Sequence, residues 1–351
     1  MSNPSIKTET NIKLPISFII FALITFVVSQ FILWLNSGEL LAGHFRIPDI
    51  WMSAHFLLLG FAAMVAMGAM YQLVPVAFLT PIWNEKFGFV QFFVTALGIS
   101  LLSVFLGMNP PIAVYGGAIT VIGVVMFIIQ MLNTLMKQKN KSMMYYFVMA
   151  AIICLMLTIT AGFLLTWNFA FGGGNHESIL YSHITLGVAG WFSLLIFGFS
   201  YKLVPMFSLS HGFSSKWTRP AFLTYISGLI LIISSFWMKN EFVNAIGFVL
   251  LFGGFFFFTL DIREILLKRL RKKLDQPMRF AMFAIGNGLV IHFFFMITSV
   301  FGLHHPSLWG WLIFLYIMSW IIFSILGYLY KIVPFLWWTY KYSERIGKDD
   351  V

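Results

Sequence analysis

Ten long apolar runs with almost no charged residues constrain the fold of this chain more than any other feature. Each run has about twenty residues or more, which lets a helix cross a hydrocarbon layer roughly 30 Å thick. The runs are continuously apolar and do not alternate as the strands of a membrane barrel do. Charged residues make up only 10% of the chain, whereas soluble proteins have about 25%. The sequence therefore predicts one all-α integral membrane domain over residues 1–351. The ten predicted transmembrane helices cover approximately 14–36, 51–76, 88–107, 111–136, 143–168, 179–205, 218–238, 242–266, 280–302 and 308–335.

The basic residues predict how this domain is oriented. If the N-terminus is cytoplasmic, all 22 Lys and Arg residues except Arg46 and Lys239 lie on the cytoplasmic side or at cytoplasmic helix ends. The positive-inside rule then places both termini in the cytoplasm, and we expect a multi-pass protein of a bacterial cytoplasmic membrane. Lys7 and Lys13 precede the first span without a small-residue cleavage site after it, so this span is interpreted as an anchor. The net charge of +10 reflects this asymmetry and attraction to anionic lipids. It does not indicate nucleic-acid binding, because the cations are spread over several short loops.

An eight-residue motif occurs three times, each time near the end of an even-numbered span. The copies are 68-GAMYQLVP-75, 198-GFSYKLVP-205 and 327-GYLYKIVP-334. They begin at Gly68, Gly198 and Gly327, so the intervals between them are almost equal. We expect the Pro to end each helix, the Tyr to anchor it at the membrane interface, and the Gly to allow close helix approach.

This spacing predicts an internal repeat. Each unit contains four spans, an even number, so successive units have the same orientation and are related by an axis along the membrane normal. The repeats cover approximately 14–136, 143–266 and 280–335, and the third contains only two spans. We therefore expect a pseudo-threefold ring of four-helix arcs in which the third arc is truncated.

Seven of the eight histidines fall in the predicted outer half of the protein. His55 and His183 lie a short way into spans 2 and 6 from the outer side, and His292 lies near the middle of span 9. An imidazole in hydrocarbon needs a partner, and one interpretation is a hydrogen bond to a facing helix. The other is ligation of heme iron or copper, for which neutral imidazole is the usual side chain. Because His55 and His183 occupy corresponding helices at similar depth, we favour ligation for this pair.

The two buried histidines are not at identical positions in their repeats. The interval from His55 to the motif Gly68 is shorter by two positions than the interval from His183 to Gly198. Two positions amount to about 200° around an ideal helix. The sequence therefore leaves open whether both face one pocket, which would require a bulge in one helix, or whether they bind different ligands.

The remaining outer histidines lie in loops. His44, His176 and His304 precede the three motif glycines at similar intervals, and His305 follows His304 directly. About a threefold axis these loop histidines could converge on one metal ion at the outer surface, or they could be ordinary polar loop residues. Arg46 is a candidate to pair with heme propionates, with a solvated loop charge as the alternative interpretation.

Missing motifs exclude several function classes. No Asp or Glu lies in the middle of a span, which argues against a proton-driven transporter or pump. The chain has no phosphate-binding loop, dinucleotide fingerprint, Cys-x-x-Cys-His or His-Glu-x-x-His motif. Cys154 is the only cysteine, so an intramolecular disulfide and a multi-thiolate metal site are excluded.

The helix order and the histidines resemble subunit I of the heme-copper oxidase superfamily, and also its smaller nitric-oxide-response relatives. The resemblance implies three arcs of helices with heme in the outer half of the membrane. It matches His55 to the helix II histidine that ligates the low-spin heme, and His183 to the helix VI histidine that ligates copper. Span 10 lacks the family's histidines, span 7 lacks its histidine pair, and Gly187 stands where oxidases often have Tyr. A complete binuclear centre and proton-pumping oxidase activity are therefore not expected.

The resulting hypothesis is a membrane redox or gas-binding protein with one heme b, held by His55 and His183 with His292 as a third candidate. Two axial histidines favour electron transfer with a membrane donor, and an open position favours nitric oxide or oxygen binding. Whether the protein is an oxidoreductase acting on either gas stays open. The alternatives are a transporter or assembly factor that has lost the cofactors, and a copper-handling protein that uses the loop histidines.

Overall fold

The structure is a computed structural model that describes residues 10–138 and 141–342. These residues form ten long helices, α1 to α10, with a short helix Ser37–Leu41 after α1, and no β-strand occurs among them. All ten predicted spans are confirmed as helices long and apolar enough to cross a membrane, so the protein is an all-α multi-pass membrane protein. Lys7 lies outside the described residues. In order the helices are Lys13–Leu35, Pro48–Phe78, Glu85–Met108, Pro110–Leu135, Met143–Phe171, His176–Ser208, Thr218–Met238, Glu241–Leu267, Gln276–Val300 and Pro306–Tyr342.

The second helix of each repeat lies innermost. Helices α2, α6 and α10 are the most buried of the ten. Each contains a π-helical segment, at Phe56–Ala63, Leu186–Phe192 and Tyr316–Ile322. The three segments begin at Phe56, Leu186 and Tyr316, so they are equally spaced along the chain. A π-helical turn widens the backbone, and such turns are frequent at functional sites.

The motif glycines allow each inner helix to pack closely on the helix before it. A methyl group at Gly68 would lie 2.8 Å from Cβ of Phe18 in α1. One at Gly198 would lie 3.0 Å from Cβ of Phe147 in α5, and one at Gly327 would lie 2.9 Å from the backbone N of Ala281 in α9. The close approach expected of these glycines is therefore present in all three copies.

The motif prolines do not end their helices, so that part of the sequence prediction was wrong. Helix α2 continues beyond Pro75 to Phe78, and α10 continues beyond Pro334 to Tyr342. A proline removes one helical hydrogen bond and frees the carbonyl four residues earlier. For Pro75 that carbonyl belongs to Tyr71, and it accepts a hydrogen bond of 2.8 Å from Thr10 Oγ1. The freed group is satisfied, and the helix can continue.

The motif tyrosines also differ from the interface anchors that were expected. Tyr71 is fully buried and donates its hydroxyl to Gln91 Oε1 of α3 at 3.0 Å. Tyr201 donates to Asp261 Oδ2 of α8, also at 3.0 Å. Only Tyr330, in the third copy, is exposed. Two of the three tyrosines therefore tie an inner helix to an outer one through a polar contact.

Glycine also sets the packing of the paired outer helices. In the α7/α8 pair, Gly228 of α7 faces Leu251 of α8, and Gly254 of α8 faces Tyr225 of α7. A methyl group at Gly254 would lie 2.7 Å from both the backbone N and Cβ of Tyr225. The neighbouring Gly253 has its nearest contact at 3.5 Å, with the side chain of Thr224. The close approach of the two backbones therefore depends on particular glycines.

An ionic cluster joins α9 to α10 at the end opposite the loop histidines. Asp275 accepts from the backbone N of Met278 at the start of α9, and its Oδ2 pairs with Arg271 Nη1 at 3.0 Å and with Lys331 Nζ. Burial alone raises the pKa of Asp275, but hydrogen bonds from Lys331 and Met278 and the charges of Lys331 and Arg271 lower it below its usual value. The cluster therefore stabilises the folded protein when Asp275 is ionised.

We expect Asp275→Asn to lower the free energy of unfolding by about 0.5–1 kcal/mol at neutral pH, because the ion pairs are lost. A lowered pKa means that this stabilisation is present above the ordinary value of 3.8 and is lost as the pH falls through the folded-state value. Thermal unfolding of both proteins in detergent, at neutral pH and at about pH 3, measures the difference. An equal difference at both pH values would contradict the ionic explanation.

Candidate functional site

A cavity of about 1140 Å³ opens at the end of the bundle that holds the loop histidines, here called the histidine end. Its walls come mainly from α2, α5, α6 and α10, with contributions from α4, α8 and α9. Most lining side chains are apolar, and a few polar groups converge among them. Sites for cofactors have this character, with volumes of about 300–1,000 Å³. The cavity is therefore large enough for a large organic cofactor.

His55 and His183 both line this cavity. Their ring centroids are 6.3 Å apart, and the ring planes differ by only 14°. The structure thus brings the two together in one pocket, which the offset of two positions in the sequence had left open. Both residues lie on the approach to a π-helical segment, His55 immediately before the one at Phe56–Ala63. Because the two π-helical segments begin at the same distance from Gly68 and Gly198, they leave the offset of two positions between the histidines unchanged.

One ring nitrogen of each histidine, Nδ1, already forms a hydrogen bond. His55 Nδ1 lies 2.7 Å from the carbonyl oxygen of Trp51, and His183 Nδ1 lies 2.9 Å from that of Thr158. A carbonyl oxygen only accepts hydrogen bonds, so Nδ1 carries the proton in both rings. In the neutral imidazole the lone pair is then on Nε2, which is the tautomer that metal-binding histidines have.

Residues that the sequence reasoning missed position these rings. The ring of His183 packs over Gly162 of α5, where a methyl group would lie 2.8 Å from its Cε1. Thr158, one helical turn earlier in α5, supplies the carbonyl that fixes the ring. No residue type marks a backbone carbonyl in a sequence, and a single glycine in an apolar helix is not distinctive. These contacts could be found only from the structure.

The separation of the two rings is the one expected if a heme iron were bound between them. Metal–imidazole bonds are about 2.0–2.1 Å long and a ring nitrogen lies about 1.1 Å from its centroid, so two ligands facing each other across a metal have centroids about 6.3 Å apart. The observed separation agrees with this value. The tautomers, the ring separation and the size of the cavity therefore all suit an iron porphyrin.

Arg46 lies at the mouth of the same cavity. Its Nη2 donates to Tyr181 Oη at 3.1 Å, and the guanidinium carbon lies 5.7 Å from the centre of the Tyr181 ring. Lys239 lines the cavity as well. Two cations therefore stand at the mouth of a mostly apolar cavity, where the carboxylates of a heme would emerge. The pairing of Arg46 with propionates stays a prediction.

The loop histidines are not gathered into one site. His44 pairs with Glu39 Oε2 at 2.7 Å, the ring of His176 lies against Phe169, and that of His304 lies against Trp309. His305 is exposed. Within residues 10–138 and 141–342, no three His, Cys, Asp or Glu side chains are close enough together to hold a metal ion. The structure thus gives no support to a shared metal site of the three loop histidines.

His292 belongs to a different cluster. It is buried in α9, does not line the cavity, and faces the hydroxyl groups of Tyr225 and Tyr316. Sequence reasoning named His292 but missed both tyrosines, because a search for histidines and carboxylates passes over phenols. Tyr225 lies in span 7 and Tyr316 in span 10, and a hydroxyl group inside an apolar span was the sequence feature that could have indicated them.

Comparison with protein-family models and with curated proteins yields no match to this chain. The cavity and its two histidines are therefore the features from which a function is inferred.

Proposed function

We propose that the protein binds one b-type heme between His55 and His183 and transfers electrons within the membrane. The observation that carries this proposal is the pair of nearly parallel imidazole rings, 6.3 Å apart in one large cavity. Two axial histidines are typical of electron-transfer hemes, whereas gas binding needs an open position. When bound, the heme supplies reversible one-electron exchange between ferrous and ferric iron.

The protein's own contribution is to hold and tune this cofactor. The carbonyl groups of Trp51 and Thr158 fix the orientations of the two rings, and they make each Nε2 a stronger electron-pair donor to a metal. The apolar walls would limit the access of water to a bound heme, and low polarity is one of the factors that set a heme potential. Arg46 and Lys239 at the mouth are suited to bind the propionates.

The distribution of basic residues supports an orientation for this function. With both termini in the cytoplasm of a bacterium, the histidine end faces outward and the heme lies in the outer half of the membrane. The resemblance to the heme-copper oxidase superfamily supports the same depth. An electron donor or acceptor would then approach from the membrane or from the outer surface.

A reduced-minus-oxidised absorption spectrum of the detergent-purified protein tests the proposal. We expect sharp heme b bands and one heme per chain from the pyridine hemochrome assay. Carbon monoxide should leave the reduced spectrum unchanged if His55 and His183 both hold the iron. Binding of carbon monoxide by the native protein would instead favour a gas-binding function.

Two other outcomes would overturn the heme proposal. A colourless, folded protein from heme-replete cells that contains copper would favour the copper-handling alternative. Copper between two imidazoles would match the same ring separation, although the cavity is much larger than one ion requires. Neither pigment nor metal would favour a transporter or assembly factor that retains only the scaffold.

A further inference from the structure

Three polar atoms meet in the apolar interior between α7, α9 and α10. The hydroxyl oxygens of Tyr225 and Tyr316 are 3.3 Å apart, and each is 3.4 Å from Nε2 of His292. All three side chains are buried, and the exposed fractions of Tyr225, Tyr316 and His292 are 0%, 3% and 1% respectively. They therefore form a nearly equilateral triangle of two oxygens and one nitrogen.

The sides of this triangle are long for hydrogen bonds. Bonds donated by hydroxyl groups to oxygen usually measure about 2.5–3.0 Å. Elsewhere in the same cluster the contacts do fall in this range: Tyr316 Oη lies 2.7 Å from Ser193 Oγ, and Trp320 Nε1 donates to Ser193 Oγ at 2.9 Å. The packing thus allows short bonds nearby, while the three facing atoms are held further apart.

The dimensions of the triangle match one face of a metal coordination tetrahedron. A tetrahedral ion with bonds of about 2.0–2.1 Å holds its ligand atoms about 3.3–3.4 Å apart. We propose that His292, Tyr225 and Tyr316 bind one first-row transition metal ion through the imidazole Nε2 and the two phenolic oxygens. Imidazole nitrogen and anionic oxygen are ligands that iron, copper and zinc accept.

The surroundings suit such a site. His292 Nδ1 lies 2.7 Å from the carbonyl oxygen of Gly288, so it carries the proton and leaves the Nε2 lone pair directed at the two tyrosines. Ser193 Oγ accepts from Trp320 Nε1, and its one hydroxyl proton has two acceptors within reach, the Val188 carbonyl oxygen at 3.1 Å and the Tyr316 oxygen at 2.7 Å. If Tyr316 loses its proton on binding the metal, its oxygen becomes the stronger acceptor, and the Ser193 hydroxyl would then donate to it.

The charges also balance. Binding a divalent ion displaces one proton from each phenol, so the ion and the two phenolates together are neutral. Neutrality matters here because an uncompensated charge in the apolar interior is strongly disfavoured. Two protons are therefore released to solvent for each divalent ion bound.

This site differs from the proposed heme site in its ligands but adjoins it. Tyr316 lines the heme cavity and opens the π-helical segment of α10, whereas His292 and Tyr225 do not line the cavity. The metal-site proposal therefore does not depend on the heme proposal, and either can be wrong while the other holds. A variant without heme should keep the metal ion, and a variant without the metal ion should keep the heme.

Analysis of His55→Ala protein for zinc and copper tests this site, because heme that remains in this variant contributes neither metal. The protein is stripped with a chelator and then offered Zn²⁺ or Cu²⁺ alone. We expect one of these ions to bind at one per chain, and Cu²⁺ to give a visible phenolate-to-copper charge-transfer band. Tyr225→Phe and His292→Ala in the same background should abolish both signals.

Ser193→Ala tests whether a residue beside the site tunes its affinity for the metal ion. It keeps all three ligands but removes the hydroxyl beside Tyr316, so we expect metal affinity to fall about 10–100-fold without being abolished. Tyr115→Phe, which removes an exposed phenol, is the matched control and should change nothing. Thermal stability of each variant identifies any that have not folded.

Two results would overturn the site. One is folded His55→Ala protein that binds neither Zn²⁺ nor Cu²⁺. The other is metal binding that is unchanged in both Tyr225→Phe and His292→Ala. In either case the three side chains form only a buried hydrogen-bonded cluster.

Discussion

Replacing His55 or His183 with alanine is expected to change the heme spectrum more than any other substitution in the protein. Each substitution would remove one of the two histidines proposed to hold the iron, while the other ring stays fixed by its carbonyl partner, Trp51 or Thr158. Loss of a residue that only orients a ligand weakens metal binding about 10–100-fold, so loss of the ligand itself should cost more than this. We expect heme content to fall sharply and the sharp low-spin bands to disappear.

Heme that remains in either variant should have an open axial position. Carbon monoxide should then shift the spectrum of the reduced variant, although it leaves the native protein unchanged. His305→Ala is the matched control, because His305 is exposed and does not line the cavity. If both variants keep the native bands and stay insensitive to carbon monoxide, these histidines are not the axial ligands.

Two adjacent glycines in α8 are expected to respond in opposite directions to the same substitution. In Gly254→Ala the new methyl group would lie 2.7 Å from the Tyr225 backbone, which cannot move without shifting α7. Overpacking of this kind costs about 1–3 kcal/mol. In Gly253→Ala the nearest contact is at 3.5 Å, an ordinary van der Waals distance, so alanine should stabilise the helix by about 0.5–1 kcal/mol.

Unfolding in mixed detergent micelles with increasing dodecyl sulfate would measure both free energies. The two variants add the same methyl group at neighbouring positions of one helix, so each is the control for the other. Equal effects would show that the α7/α8 contact is looser than the structure indicates. Since Gly254 packs on Tyr225, the destabilised variant should also bind less metal at the proposed site.

Most of the fold could be predicted because membrane helices have a strong sequence signal. Ten apolar runs became ten helices, and the repeated glycines indicated the packing of α2, α6 and α10 on the preceding helices. The helix ends were less predictable. A proline suggests a stop, but the carbonyl that Pro75 frees is satisfied by Thr10, which is far from Tyr71 in the sequence. A rule based on neighbouring residues cannot anticipate that distant donor.

The site could be predicted only in part. Histidines in apolar helices are conspicuous, and depth along the helix drew attention to His55 and His183, which the structure places in one cavity. Their mutual orientation could not be predicted, because it depends on how α2 and α6 are placed relative to each other, which the positions of two residues within their own helices do not determine. The contacts of His292 could not be predicted either, since its neighbours Tyr225 and Tyr316 come from two other helices.

The regular spacing of the three π-helical segments bears on the history of the chain. A segment of this kind arises when one extra residue enters an α-helix, which is costly unless the surroundings accommodate it. Three independent insertions would have no reason to begin at Phe56, Leu186 and Tyr316, with equal intervals between them. If the predicted repeat reflects duplication of one four-helix unit, a single insertion before that duplication accounts for all three segments. The histidines do not follow this spacing, because the third copy has Leu315 and Ile313 at the positions that correspond to His55 and His183.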